Sequence, residues 1–356
     1  MPRTGKINNI HLVAERAGVS VASVSRVVNN RTDVSEKTRR RVQAVIDELN
    51  FSPNKGSDRL FHIGIILSPE QPVVSNYMSP LIAGMTDFAS RSNLILSVMV
   101  NAFGARGRAL IQLIRERRCD ALCIPMDGER HAEIDVIDRS GIPAMLINTA
   151  TTRRRRIGYI NNHSYAAACK VTEHLLKLGH RKIAFSSQAV KNDENHTARI
   201  KGYLDTLRQY GVTPKKQWFV EHIPTMLAQE AGYLQAMRLF RQAPETTAVI
   251  AADDEIAMGT YKACWETGRR IPEDLSVTGF DDLPQSKYLT PPLTTARNPL
   301  FEIGSKAINY LQLYLQNTLE ELPCETLEPE LIVRQSSGAP RNDSLCLKNK
   351  TADGTF

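Results

Sequence analysis

Residues 13–29 read Val13-Ala-Glu-Arg-Ala-Gly-Val-Ser-Val-Ala-Ser-Val-Ser-Arg-Val-Val-Asn29. With Asn9 as N-cap, Ile10, Val13, Ala14 and Ala17 recur at helical spacing. Gly18 suits the left-handed position that ends a helix. Ser20 caps a second helix, from Val21 to about Asn29, that turns Val24, Val27 and Val28 inward. Helix, glycine turn, helix is the sequence form of a helix-turn-helix. Such a unit needs steeply set helices, which Gly18 permits. Its second helix must be narrow at its start to approach base edges. Ala22, Ser23 and Ser25 leave that room, and Arg26 has the reach. From the pattern alone, a plain three-helix bundle stays open as the alternative.

Working outward, residues 29–33 read as a loop. Ser35 caps a third helix through Leu49, with Val42, Val45, Ile46 and Leu49 as its apolar stripe. Phe51-Ser-Pro-Asn54 stops it. Residues 1–61 hold eleven Lys/Arg against six Asp/Glu, a surplus of +5 out of the chain's +7. A basic segment of this kind fits a polyanionic partner.

From Ile63 the period changes. Strands at 63–67, 94–100, 121–125 and 144–148 alternate with helices near 79–92, 107–117 and 132–140. The alternation restarts with helices near 164–178, 197–210, 229–241 and 256–267 and strands near 182–186, 218–222, 248–252 and 276–280. This predicts two parallel-sheet α/β units in series. Residues 291–297 return toward the first unit, and a helix near 301–316 and a strand at 330–334 finish it. Residues 336–356 are polar and aperiodic, and are expected to be a disordered tail.

The 356 residues suit two or three folded units, and 42% hydrophobic content is ordinary for a globular protein. No apolar run reaches the roughly 18 residues of a membrane span. The N-terminus lacks the apolar core of a secretory signal. Six cysteines at 119, 123, 169, 264, 324 and 346 show neither zinc nor disulfide spacing, which points to thiols in a reducing cytoplasm. No nucleophile elbow, phosphate-binding glycine loop or His/Glu metal cluster is present. The expectation is no catalytic residue, no metal and no cofactor, and His180 reads as a turn residue.

The stretch 13–29 resembles the N-terminal signature of the lactose/galactose repressor family. Val34-Ser-Glu-Lys-Thr-Arg39 and Glu48-Leu-Asn-Phe-Ser-Pro-Asn54 continue it. So do Leu178-Gly-His-Arg-Lys-Ile-Ala-Phe185, Arg199-Ile-Lys-Gly-Tyr203, Ala252-Asp-Asp-Glu-Ile-Ala-Met-Gly259, Leu275-Ser-Val-Thr-Gly-Phe-Asp-Asp282 and Pro292-Leu-Thr-Thr295. The likeness spans roughly residues 9–335. It implies a helix-turn-helix domain with a short hinge at 1–61 and an effector-binding, dimerising domain at 62–335. Lobe 1 would be about 62–160 and 296–327, and lobe 2 about 161–295 and 328–335.

Carried over by position, Val21, Ala22 and Arg26 face base edges, Arg26 pairing with a guanine. Ser20, Ser23, Ser25, Asn29, Ser35 and Thr38 bind phosphate. Ser20 and Ser35 also read as plain caps, and the roles coexist. Arg39, Arg40 and Arg41 are either phosphate ligands or simply solvated. Leu60 stands where the family inserts a leucine into the minor groove. The linker behind it is about five residues short, and Gly56 and Asp58 suit a DNA-approaching helix poorly, so core packing is the alternative for Leu60.

The resemblance further implies a small-molecule cleft between the lobes, lined by Asn148, Arg199, Asp253 and Asp281. Carboxylates with an arginine hold vicinal hydroxyls, which suits a sugar. Asp254 and Asp282 read as caps of following helices, and Asn161 and Asn162 as structural residues at a crossing. Tyr77 and Leu81 line lobe 1. Pro125 and Ala102 depart from sugar-repressor habit, and Arg153 to Arg156 read as a solvated loop. The expected molecule is a cytoplasmic repressor, a homodimer on a pseudo-palindromic operator. A sugar-transport solute-binding protein is the alternative, but it would carry a signal peptide and no helix-turn-helix.

Overall fold

A computed structural model describes residues 10–28, 34–49, 51, 60–67, 76–100, 112, 116, 119–125, 131–151, 154–187, 194–221 and 227–341. Asn29, Gly56, Asp58, Ala102, 342–356 and nearly all of the helix expected at 107–117 lie outside these residues.

Three helices open the chain: α1 (Ile10–Ala17), α2 (Val21–Val28) and α3 (Glu36–Glu48). Their apolar stripes close one small core that includes Val13, Ala17, Val24, Val27, Val42, Val45 and Phe51. Gly18 takes φ +58°, the left-handed turn that its lack of a side chain allows.

Sheet one holds β1 (Phe61–Leu67), β2 (Leu94–Val100), β3 (Ala121–Pro125), β4 (Ala144–Ile147), β5 (Ile157–Asn162) and β11 (Cys324–Leu327). Their order is β11-β5-β4-β3-β1-β2, parallel throughout. Helices α4 (Met78–Ser90), α5 (His131–Ser140) and α10 (Leu300–Leu315) accompany it. Every residue of β3 and β4 is buried, as central parallel strands covered on both faces require.

Sheet two holds β6 (Ile183–Ser187), β7 (Phe219–Glu221), β8 (Ala248–Ala251), β9 (Ser276–Asp281), β10 (Thr294–Arg297) and β12 (Glu330–Ile332). Its order is β12-β10-β9-β8-β6-β7, with only β12 antiparallel. Helices α6 (Ser164–Lys177), α7 (Glu194–Gln209), α8 (Ala228–Gln242) and α9 (Asp254–Thr267) belong to it. The chain passes between the sheets after β5, after β10 and after β11. Strands β5, β10 and β11 are absent from the sequence reading. β11 alternates exposed and half-buried residues over only four positions, too short a run to register as a strand.

The expectation of a tail beginning at residue 336 needs correction. Ser336 is fully buried: its Oγ donates to Val277 O (2.6 Å) and accepts from Thr294 N (2.7 Å). Val277 N donates to Ser336 O (2.9 Å), and Arg341 reaches Asp274 (2.7 Å). Ordered chain therefore runs to Arg341 as a strap stitched to β9 and β10 by polar bonds, which apolar periodicity does not reveal. His180 is likewise more than a turn residue. Its buried ring lies between Thr247 Oγ1 (2.9 Å) and Gly338 O (2.8 Å), tying β8's approach to the strap. Arg154 binds Asp135 (2.8 Å) and Asp138 (3.0 Å) on α5, so this part of the arginine run is structural rather than solvated.

Candidate functional site

Two regions carry the predicted residues. On α2, one turn per 3.6 residues places Val21, Ser25, Ala22 and Arg26 along about 140° of arc, opposite Val24 and Val27. Ala22 and Arg26 are exposed, while Val21 is half-buried against the three-helix core. Ser20 Oγ accepts from Ser23 N (3.1 Å) and lies 2.9 Å from Ser23 Oγ. Ser35 Oγ accepts from Thr38 N (3.3 Å) and donates to Thr38 Oγ1 (2.9 Å). Both serines thus cap helices whose N-terminal dipoles attract anions. Asn29 lies outside the described residues. Leu60 is 49% exposed directly ahead of β1 and joins no apolar core among the described residues.

The second region lies where strands of both sheets end. Asn148 follows β4 with φ +66°, Asp281 ends β9 with φ +102°, and Asp282 follows with φ +53°. Non-glycine residues held there store strain, which clusters at functional sites. Arg199, on α7, sets its guanidinium 4.8 Å over the Phe280 ring, donates to Ala252 O, and lies 3.9 Å from Asp281 Oδ1. Asn298 Nδ2 donates to the same Asp281 oxygen (3.4 Å). In this region two buried polar atoms, the Arg199 Nε donor and the Asn298 Oδ1 acceptor, have no hydrogen-bond partner among the described residues. A small cavity of about 20 Å³, room for a water molecule in this arrangement, lies here, lined by Asn162, Ser164, Arg199, Phe280, Asp281 and Asn298 among others. One donor, one acceptor, an aromatic face and a carboxylate suit a polar, hydroxyl-bearing small molecule.

Asp253 sits apart from that lining. It caps α9, its Oδ1 accepting from Ile256 N (2.7 Å). Burial, with Asp281 and Glu255 nearby, pushes its carboxyl up to about 7. Burial likewise raises Asp281, against the pull of Arg199.

The reading of Asp254 and Asp282 as helix caps is corrected. Asp254 is fully buried and accepts from Leu283 N (2.9 Å), Ser286 Oγ (2.5 Å) and Thr295 Oγ1 (2.6 Å). It therefore braces the turn that carries Asp281. Asp282 pairs with Arg334 (2.5 Å) on the returning chain.

Asn195 is a residue the sequence reading missed. Its Nδ2 donates to Asn148 O (2.7 Å), Asn148 Oδ1 (3.3 Å) and Asn161 Oδ1 (3.2 Å), and its Oδ1 accepts from Ser164 Oγ (3.0 Å). It lies in the polar run Glu194-Asn-His-Thr197, where nothing marks one polar residue from the next. On another flank, Asn76 Nδ2 donates to Glu255 Oε1 (2.7 Å) and Asn76 Oδ1 accepts from Gln285 (2.9 Å). Leu283 and Met258 join the core of sheet one there, with Met78 and Leu81. Tyr77 also packs against this core rather than standing in open cleft. Among the described residues, no group of three metal-ligating side chains converges, and no helix is long and apolar enough to cross a membrane.

Two family profiles match the chain: "Bacterial regulatory proteins, lacI family" over residues 9–54, and "Periplasmic binding protein-like domain" over 172–337. An HTH-type transcriptional repressor PurR of Erwinia tasmaniensis is 30% identical over 334 residues, covering 91% of this chain and 95% of that protein. A ribose operon repressor of Haemophilus influenzae is 28% identical over 330 residues, covering 91% and 97%. Among solved structures, a lac repressor dimer bound to operator and the anti-inducer ONPF is 25% identical with TM-score 0.65, covering 94% of this chain and all of that one. The helix-turn-helix, the paired parallel sheets and the likeness along nine-tenths of the chain agree: this chain belongs to the lacI family of bacterial regulatory proteins.

Proposed function

We propose that this protein is a ligand-responsive repressor that binds operator DNA as a homodimer in the cytoplasm. The observation that carries the reading is the union, in one chain, of a helix-turn-helix and a two-sheet body with a polar cleft at the strand ends. Val21, Ala22 and Arg26 read bases, and Leu60, half-exposed among the described residues, enters the minor groove. Ser20, Ser23, Ser25, Asn29, Ser35 and Thr38 fix register on phosphates. Two-fold symmetry pairs two recognition helices about one helical turn apart. Asn148, Arg199, Asp253 and Asp281 hold the effector, a sugar or related polyol. Its binding shifts the balance between lobe arrangements and so the operator affinity. As a regulator similar to transcriptional repressors, the protein acts by binding.

A mobility-shift assay on DNA upstream of its own and neighbouring genes tests this, with and without candidate sugars. Sequence-dependent binding that a sugar alters is expected. Binding that vanishes uniformly as salt rises, with no sequence preference, would overturn the reading.

A further inference from the structure

The three-helix unit is small, and units of this size bury too little apolar surface to be stiff through packing alone. Its turn has no steric lock either: at Gly18 an added Cβ would meet nothing within 4 Å. Two polar contacts tie α3 to this region instead, one to the turn itself and one to the last helical turn of α1. Arg41 Nη2 donates to Gly18 O (3.3 Å), and Arg16 Nη1 donates to Glu48 Oε1 (2.7 Å). Arg41 and Glu48 are seven residues apart, two turns along one stripe of α3. The carbonyls at a helix C-terminus lack helical partners and carry partial negative charge, so a guanidinium is their fitting donor. The Arg16–Glu48 pair is exposed on both sides, where ion pairs add little stability. Its effect is on geometry.

We propose that Arg41 is a positioning residue for DNA recognition, holding the Gly18 carbonyl so that, together with the Arg16–Glu48 bridge, it sets the angle at which α2 meets the groove. Arg41 acts through the turn and binds no phosphate. This rests on α2 being the recognition helix.

The test uses the full-length protein and a duplex that the wild type selects from a randomised pool. Specific and non-specific affinities are read by fluorescence anisotropy across roughly 50–200 mM salt. In R41Q, specific affinity should fall about 5–10-fold while non-specific affinity and the salt slope stay put. A phosphate ligand would instead lower the slope by about 1 and weaken all DNA alike. That outcome, or unchanged specific affinity, overturns the proposal. E48Q separates geometry from charge. Losing an acidic group should strengthen binding to every duplex if charge alone matters. The proposal expects weaker specific binding, and uniform strengthening would refute it. R26A on the same duplex judges the premise separately: if discrimination survives there, α2 is not the reading helix, whatever Arg41 does.

Discussion

Arg26 and Ala22 stand one turn apart on the exposed side of α2, and their chemistry differs. A guanidinium reads a guanine by paired hydrogen bonds, whereas a methyl group offers only contact. Arg26→Ala should therefore cost about 1–3 kcal/mol on the preferred operator and blur discrimination at one base pair. Competition among single-base operator variants measures it. Equal weakening on every variant would make Arg26 a phosphate ligand. Asp253 gives a pH-dependent expectation. Burial raises its folded carboxyl to about 7, so the folded chain holds that proton more tightly than the unfolded one. Its contribution to stability is therefore present at low pH and lost as pH climbs from about 4 to 7. Asp253→Asn keeps the cap acceptor but removes the charge. Relative to wild type, its melting temperature should rise between pH 5 and pH 8, by the equivalent of about 2 kcal/mol after allowing for partial exposure. A flat difference across that range would refute this. Asp253 and Arg199 were expected from the family resemblance; Asp253 caps α9, whereas Arg199 lies six residues into α7. The roles of Asn195 and Asp254 were not legible, because they depend on partners 29 to 47 positions away.

Elements with a strong apolar period were read directly. Strands β1, β3, β4 and β8 are largely apolar runs, β9 alternates polar and apolar residues, and α6 and α10 are amphipathic helices of ordinary length. What escaped were elements stabilised by polar bonds or edge pairing. β11 is exposed on alternate residues, and the strap at 336–341 is polar. Ser336 supports a prediction at this scale. Ser336→Ala leaves the buried Thr294 N–H and Val277 C=O without their side-chain partner. An unsatisfied buried group costs about 1–3 kcal/mol, so thermal unfolding should come several degrees earlier. An unchanged melting temperature would show that the strap is dispensable. Arg154 teaches the same lesson in reverse: a charge run that looks solvated in one dimension finds two aspartates on α5 in three.

At the scale of the molecule, side chains join the two sheets on separate flanks, at Asn148–Asn195 and at Asn76–Glu255–Gln285. These bonds favour the lobe arrangement seen here, each by about 1 kcal/mol. The double variant Asn76→Ala with Asn195→Ala should enlarge the radius of gyration in small-angle scattering. No change would mean that apolar packing at Met258 and Leu283 suffices to hold the lobes. The direction of β1 carries a last consequence. That strand begins at Phe61 and its parallel neighbours run the same way, with β5 ending at Asn162 in the cleft lining. A seven-residue strand at about 3.3 Å per residue makes the sheet a slab roughly 23 Å deep. No side chain spans that depth, so the ligand response proposed above has to cross the sheet through packed elements rather than through one contact. Softening its centre, for instance by Ile65→Ala, should leave sugar and DNA each bound yet deafen one to the other.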